Sequence, residues 1–186
     1  MHADDIPPDD PLNHDGELLM RRRFPSNYHW DAGNLPAMMR ASLSASLARF
    51  IEAQPFFFIA TAGRDGHCDC SFRGREYSAF GQALPALKVL DACQLVFPDF
   101  SGNGLYNSLG NIIQNPHIGM LFMDFDRQRR ARVNGLARID LPDAVSQRIW
   151  PMAQAVIRVE VEQAYGNCAA RIPRLRMVEG SDAGFS

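Results

Sequence analysis

The sequence has no apolar run approaching the roughly 18 residues that span a bilayer. It has no G-x-S-x-G elbow, no G-x-x-x-x-G-K-[ST] phosphate loop and no G-x-G-x-x-G after a strand. It contains no internal repeat and no low-complexity tract. Its 186 residues carry a formal net charge of -2, too near neutral for a nucleic-acid surface. The start, MHADDIPPDDPLNHDG, has neither a basic region nor an apolar core, so no ordinary secretory signal is expected, and cytoplasm is the expected compartment. The four cysteines, Cys68, Cys70, Cys93 and Cys168, contain no C-x-x-C and do not have the spacing of a disulfide framework. No nearby Cys/His pair completes a zinc site around Cys68 and Cys70, so no metal is expected, and buried reduced thiols are the natural reading. No residue stands out as a poised acid or base: His67 and His117 sit inside strand patterns, and Asp124 and Asp126 sit in a hairpin loop. Such an absence fits chemistry carried by a bound cofactor.

What is present is a packed chain. Apolar residues make up 46%, enough for one domain with a sizeable core and terminal extensions. Residues 1–33 read as an arm, where Pro7, Pro8 and Pro11 oppose regular structure and Arg21–Arg23 form a solvated basic triplet. Residues 34–175 read as the domain and 176–186 as a tail. Met39, Leu43, Leu47, Phe50 and Ile51 fall at helical spacing, with Asn34 and Pro36 near the start and Pro55 closing the helix. FFFIATA, 56–62, predicts a strand, GRDG, 63–66, a hairpin turn, and 67–72 the return strand. Alternation puts His67, Asp69, Ser71 and Arg73 on one side of that strand and Cys68, Cys70 and Phe72 on the other. A short run at 87–90 leads through the Asp91-Ala92 turn into strand patterns at 93–97, 117–122, 130–139 and 155–161, with a short helix at 141–149 and a compact tail at 165–174. The strands are mostly hairpin-linked and do not alternate with helices. That predicts a mainly β fold, a six-stranded antiparallel barrel with accessory helices, rather than a doubly wound α/β sheet.

The densest ligand-type chemistry lies in Pro98–Pro116, PDFSGNGLYNSLGNIIQNP, between two apolar strand runs. Glycines and asparagines lead into a short helical pattern, Leu105, Leu109, Ile112 and Ile113. A loop of small and amide residues feeding a helix start offers backbone N–H groups to a phosphate. Asn103, Asn107 and Asn111 recur every four residues and would line one helix face, at a cost in helix propensity. SFRGR, 71–75, at a strand end, and the Arg130, Arg132 and Asn134 face of a long alternating strand add a hydroxyl, guanidinium groups and an amide. Each has a plainer reading: a common strand end, a capped helix, a solvated hairpin.

The segments FFFIATAGRDGHCDCSFRG, LVFPDFSGNGLYNSLGNIIQNPHIGMLFMDF and ARVNGLARI, in this order, resemble the pyridoxamine 5′-phosphate oxidase-like flavoprotein superfamily, and more closely its branch of flavin-nucleotide-binding proteins. The tail AYGNCAARIPR resembles the same branch, and the similarity runs from about Arg49 to Arg174. The resemblance implies an FMN-binding split β-barrel, usually a homodimer with FMN at the subunit interface, and a flavin-dependent oxidoreductase of unassigned substrate. It places Ser71, Phe72, Arg73 and Gly74 along the flavin. Asn107 and Ser108 stand where the oxidases hold the phosphate with a basic pair, so the phosphate charge would fall to Arg73 or Arg132. Arg130, Arg132 and Asn134 lie on the strand that approaches the isoalloxazine ring, with Arg132 the candidate cation there. With Asn103 and Asn111 these make the candidate cofactor-binding set; no catalytic residue is singled out. The tryptophan and R-L-x-P ending that serves substrate in the vitamin B6 oxidase is missing, so that reaction is not expected. The same fold could carry flavin without turnover, as a carrier or sensor, or hold haem or the deazaflavin F420. Haem would need His67 or His117 as its axial ligand.

Overall fold

In a computed structural model, which describes residues 15–24, 26–28, 34–167 and 169–176, seven strands pair into one antiparallel sheet. They are β1 (Phe56–Ala62), β2 (Cys68–Gly74), β3 (Lys88–Val89), β4 (Gln94–Phe100), β5 (His117–Asp124), β6 (Arg129–Asp140) and β7 (Ala153–Asn167). Their order is β2-β1-β5-β6-β7-β4-β3. The architecture is the expected mainly β split barrel with few helices. The seventh strand is the two-residue β3, and the last strand runs on to Asn167, through residues read as tail.

The chain divides into two units, Met1–Arg40 and Ala41–Ser186. The first contains α1 (Asp15–Arg23) and the single turn α2 (Leu35–Met38). Acidic Asp15 and Glu17 open α1 and the arginine triplet ends it, the polarity a helix dipole favours. Pro7, Pro8 and Pro11 lie outside the described residues. The second unit contains the sheet with α3 (Ala45–Glu52), α4 (Asn107–Gln114) and α5 (Ala144–Ile149).

The helical pattern expected from 34 to 54 is realised as two pieces. Ser44 adopts an extended backbone, φ -67 and ψ 155, and its hydroxyl accepts from the Leu47 N–H. That cap competes with helix continuation, so Leu43 keeps its buried place ahead of α3 rather than within it. Phe50 and Ile51 of α3 join Phe57, Ile59, Phe97, Met120, Phe122, Val133 and Val159 in the main core. Phe57 lies edge-on to Phe97 and stacked on Phe122, both with ring centroids 5.3 Å apart. Each such ring, fully removed from water, contributes about 2–3 kcal/mol. A second cluster, Val96, Trp150 and Val156, covers the other face of β4, with Trp150 Nε1 donating to the Pro85 carbonyl at 2.7 Å.

The GRDG turn closes the β1–β2 hairpin as expected, with Gly66 at φ +80 and its N–H on the Gly63 carbonyl. The β6–β7 register shifts between Asn134 and Gly135. A Cβ on Gly135 would lie 2.0 Å from the Glu160 carbonyl oxygen, so only glycine fits this bulge.

The sheet is not closed. β2 is one edge and β3 the other, and β2 shares no backbone ladder with β4. A seam therefore runs between β2 and β4, and side chains span it.

Candidate functional site in the barrel seam

β2 turns its polar side inward. Asp69, Ser71 and Arg73 are half-buried, while Cys68, Cys70 and Phe72 are exposed, Phe72 by 60%. This corrects the expectation of buried thiols: Cys68, Cys70 and Cys93 are all free and exposed, and Cys168 lies outside the described residues. The physical reason is that an edge strand beside an open seam satisfies its polar groups only by turning them toward other elements. Arg73 Nη1 donates to Asp99 Oδ1 across the seam at 2.6 Å, with side-chain exposures of 19% and 5%. Gln154 on β7 donates to the other oxygen of Asp99 at 2.8 Å.

α4 supplies the next wall. Tyr106 precedes it in the left-handed region, φ 52, with no side-chain cap. A non-glycine residue there costs about 1–2 kcal/mol and marks a loop held for a purpose other than local comfort. Asn103 Oδ1 accepts from the Leu105 N–H, and Gly104 sits at φ +77. The first intrahelical bond runs from Gly110 to the Tyr106 carbonyl, so the N–H groups of Asn107, Ser108 and Leu109 have no acceptor within the helix.

These pieces enclose a cleft of about 190 Å³ lined from β2, β4, the 102–106 loop, the start of α4, and Gln154. Of the sequence-expected residues, Ser71, Arg73, Asn103, Asn107 and Ser108 meet in it. Asn111 does not; its amide donates to the buried Thr61 hydroxyl at 3.1 Å and pins α4 to β1. Phe72 lies on the opposite face of β2, against the rings of Phe56 and Phe58. Gly74 ends β2, where a Cβ would meet the Phe72 ring at 2.8 Å.

Arg130, Arg132 and Asn134 share the outer face of β6. The registers put Tyr165, Arg132, Leu121, Phe58 and Phe72 in one cross-strand row and Gln163, Asn134, Gly119, Ala60 and Cys70 in the next. Arg132 donates to the Tyr165 hydroxyl at 3.3 Å and Asn134 to Gln163 at 3.0 Å, whereas Arg130 Nε is buried without a partner among the described residues. One chain thus holds two separate groups of candidates, on opposite faces of the sheet. Neither His67 nor His117 lines the seam cleft; His117 Nδ1 is 2.8 Å from the side-chain Oδ1 of Asn115. Among the described residues, no group of three or more His, Cys, Asp or Glu is placed to hold a metal.

The sequence reading missed Asp69, Asp99 and Gln154. Asp69 was legible only as a member of the polar side of β2. Asp99 stands in the highlighted stretch, and its signal is a carboxylate inside an otherwise apolar strand. The charge inventory of the cleft changes with them. Arg73 is already paired, and Asp69 Oδ2 lies 2.9 Å from Ser108 Oγ and 3.1 Å from Ser71 Oγ. The residues still fit the phosphate-bearing end of FMN at the α4 start. Among the described residues, three N–H groups and the Asn107 side chain have no protein partner there, and Arg73 Nε is buried without an acceptor. At about 190 Å³ the cleft has room for one end of such a ligand, not the whole.

An antiparallel split barrel with a polar cleft at its open seam defines the class of protein. The chain belongs to the pyridoxamine 5′-phosphate oxidase family, whose model matches residues 43–175. No curated protein matches it. Among solved structures, HupZ of Group A Streptococcus is similar at 18% identity over 67% of this chain and 93% of that one, with a TM-score of 0.50. A "putative pyridoxamine 5′-phosphate oxidase" from Lactobacillus delbrueckii is similar at 14% identity over 69% of this chain and 98% of that one, also with a TM-score of 0.50. At these identities the likeness is one of fold. No helix among the described residues is long and apolar enough to cross a membrane.

Proposed function

We propose that this protein binds FMN and works as a flavin-dependent oxidoreductase, without the vitamin B6 oxidase reaction. The observation that carries the reading is the uncapped start of α4, opening on the seam cleft beside Asn107 and Arg73. Bound FMN supplies hydride or electron transfer; the chain's part is to hold and orient it. The N–H groups of Asn107 to Leu109 and the Asn107 amide would donate to phosphate oxygens, helped by the helix dipole. Arg132, exposed on β6, is the candidate cation beside the ring, where positive charge favours the reduced form.

The two groups of candidates favour a homodimer. A ligand end in the seam cleft cannot lie on the outer face of β6 in the same chain, so a second copy is the natural source of the remaining contacts. The outer face carries an apolar row, Leu121, Phe58 and the exposed Phe72, that suits such an interface. Purification tests the reading. The expected result is a yellow protein with a flavin absorption spectrum, FMN identified by mass after release, and a dimeric mass in solution. A colourless protein that binds no FMN on titration refutes it.

A further inference from the structure

Ser71 Oγ, Ser108 Oγ and Asp69 Oδ2 form a triangle with sides of 2.9, 2.9 and 3.1 Å. Three contacts share two hydroxyl protons. A carboxylate only accepts, and each hydroxyl donates once. Both serines donate to Asp69, or one serine donates to the other and that one to Asp69, with either serine in either place. In every one of these arrangements each proton is used inside the triangle. What Ser71 and Ser108 turn to the cleft is therefore oxygen lone pairs. Ser108 is 3% exposed and stands at the α4 start, beside the N–H groups that suit an anion. The cleft thus has a donor end and an acceptor corner.

We propose that Asp69 is a specificity-determining residue. By taking up the serine protons it makes the Ser71–Ser108 corner a receptor for a ligand hydroxyl, of the kind a sugar or ribityl chain carries, and closes that corner to phosphate oxygens. The proposal rests on the flavin reading for the identity of the ligand, but not for the chemistry of the corner. Asp99 adds to the effect, since its pairing with Arg73 leaves no uncompensated cation at this wall. Phosphate at the serines would meet lone pairs backed by a carboxylate; a hydroxyl there would donate to an oxygen already polarised by Asp69.

The test uses wild type, Asp69→Asn and Ser108→Ala. Each is titrated with FMN and riboflavin by flavin fluorescence, and with ribitol and inorganic phosphate by thermal shift. Asp69→Asn removes the negative charge and weakens the acceptor that holds the serine protons. It is expected to raise the FMN-over-riboflavin affinity ratio by about tenfold or more, the scale of one hydrogen bond to a charged group. Ser108→Ala, a small change at a buried position, is expected to weaken both flavins by the same factor. An unchanged or lowered ratio in Asp69→Asn overturns the proposal, as does a loss confined to FMN in Ser108→Ala. If neither flavin binds, the flavin reading fails and the corner is judged by the other arms. Ribitol must then stabilise the wild type and lose its effect in Ser108→Ala; a wild type that answers to phosphate alone, or to neither, overturns the assignment.

Discussion

Removing the charge on either side of the seam should have unequal consequences. Arg73→Met deletes the cation and leaves Asp99, 5% exposed, with Gln154 as its one remaining side-chain donor among the described residues. Breaking a buried pair by removing one partner costs about 3–5 kcal/mol. The 2.8 Å bond from Gln154 survives and the 19% exposure of Arg73 weakens the starting interaction, so about 2–3 kcal/mol is expected. Asp99→Asn keeps an acceptor for Arg73 and leaves a guanidinium that already reaches water, so about 1 kcal/mol is expected. The double variant removes both charges and should be more stable than the sum of the two losses by about 1–2 kcal/mol. Urea denaturation of ligand-free protein, followed by far-UV circular dichroism, measures all three. Arg73→Met alone should lower the melting temperature by about 5–10 °C. A loss within about 0.5 kcal/mol of zero for Arg73→Met, a loss no larger than that of Asp99→Asn, or strict additivity would refute the claim that this pair holds the seam.

Gly135→Ala forces a Cβ into the Glu160 carbonyl, so a loss of about 3 kcal/mol or more in the same assay is expected, against almost none at Gly110, where a Cβ meets nothing within 4 Å. Asp143 caps α5, and the Ser146 backbone N–H, then the Ser146 hydroxyl and Arg158, hold its carboxyl below the ordinary 3.8. A depressed folded value means its contribution is complete above the unfolded value and fades as pH falls through the folded one. Acid unfolding of Asp143→Asn should therefore lack that segment of pH dependence below 3.8, and a curve identical to wild type would contradict the cap. Cys68, Cys70 and Cys93 should react with iodoacetamide without denaturant, read by peptide mass. Raising protein concentration should then protect Cys68 and Cys70, on the outer face, before Cys93, and equal reactivity at all concentrations would speak against a dimer built on that face.

Much of the fold is legible in the residues because the signals are local. Period-two alternation marks β6, with Arg130, Arg132 and Asn134 facing away from Ala131 and Val133. The glycines of GRDG mark the first hairpin, and the Asn-Gly loop before α4 marks the cleft. α3 was less legible. Leu43 keeps a helical spacing to Leu47 while serving as a core residue outside the helix, because a serine cap outweighs the pattern. The site was half legible. Ser71, Arg73, Asn103, Asn107 and Ser108 meet as their chemistry suggested, whereas Asn111 is spent on Thr61.

The sequence by itself determined six of the seven strands, the first hairpin turn, the position of the loop before α4 and the family. Each depends on neighbours a few residues apart or on motifs read in order. Only the tertiary structure decided which side of β2 faces in, and what meets there. Alternation separates two sides of a strand but assigns neither to the interior when one is polar and the other mixes thiols with an aromatic. That choice depended on partners far along the chain: Asp99, 26 residues from Arg73; Gln154, 55 from Asp99; and Ser108, 39 from Asp69. The register of the whole sheet brings them together. An open seam between β2 and β4 is what turns a row of ordinary polar residues into a cleft with a donor end and an acceptor corner.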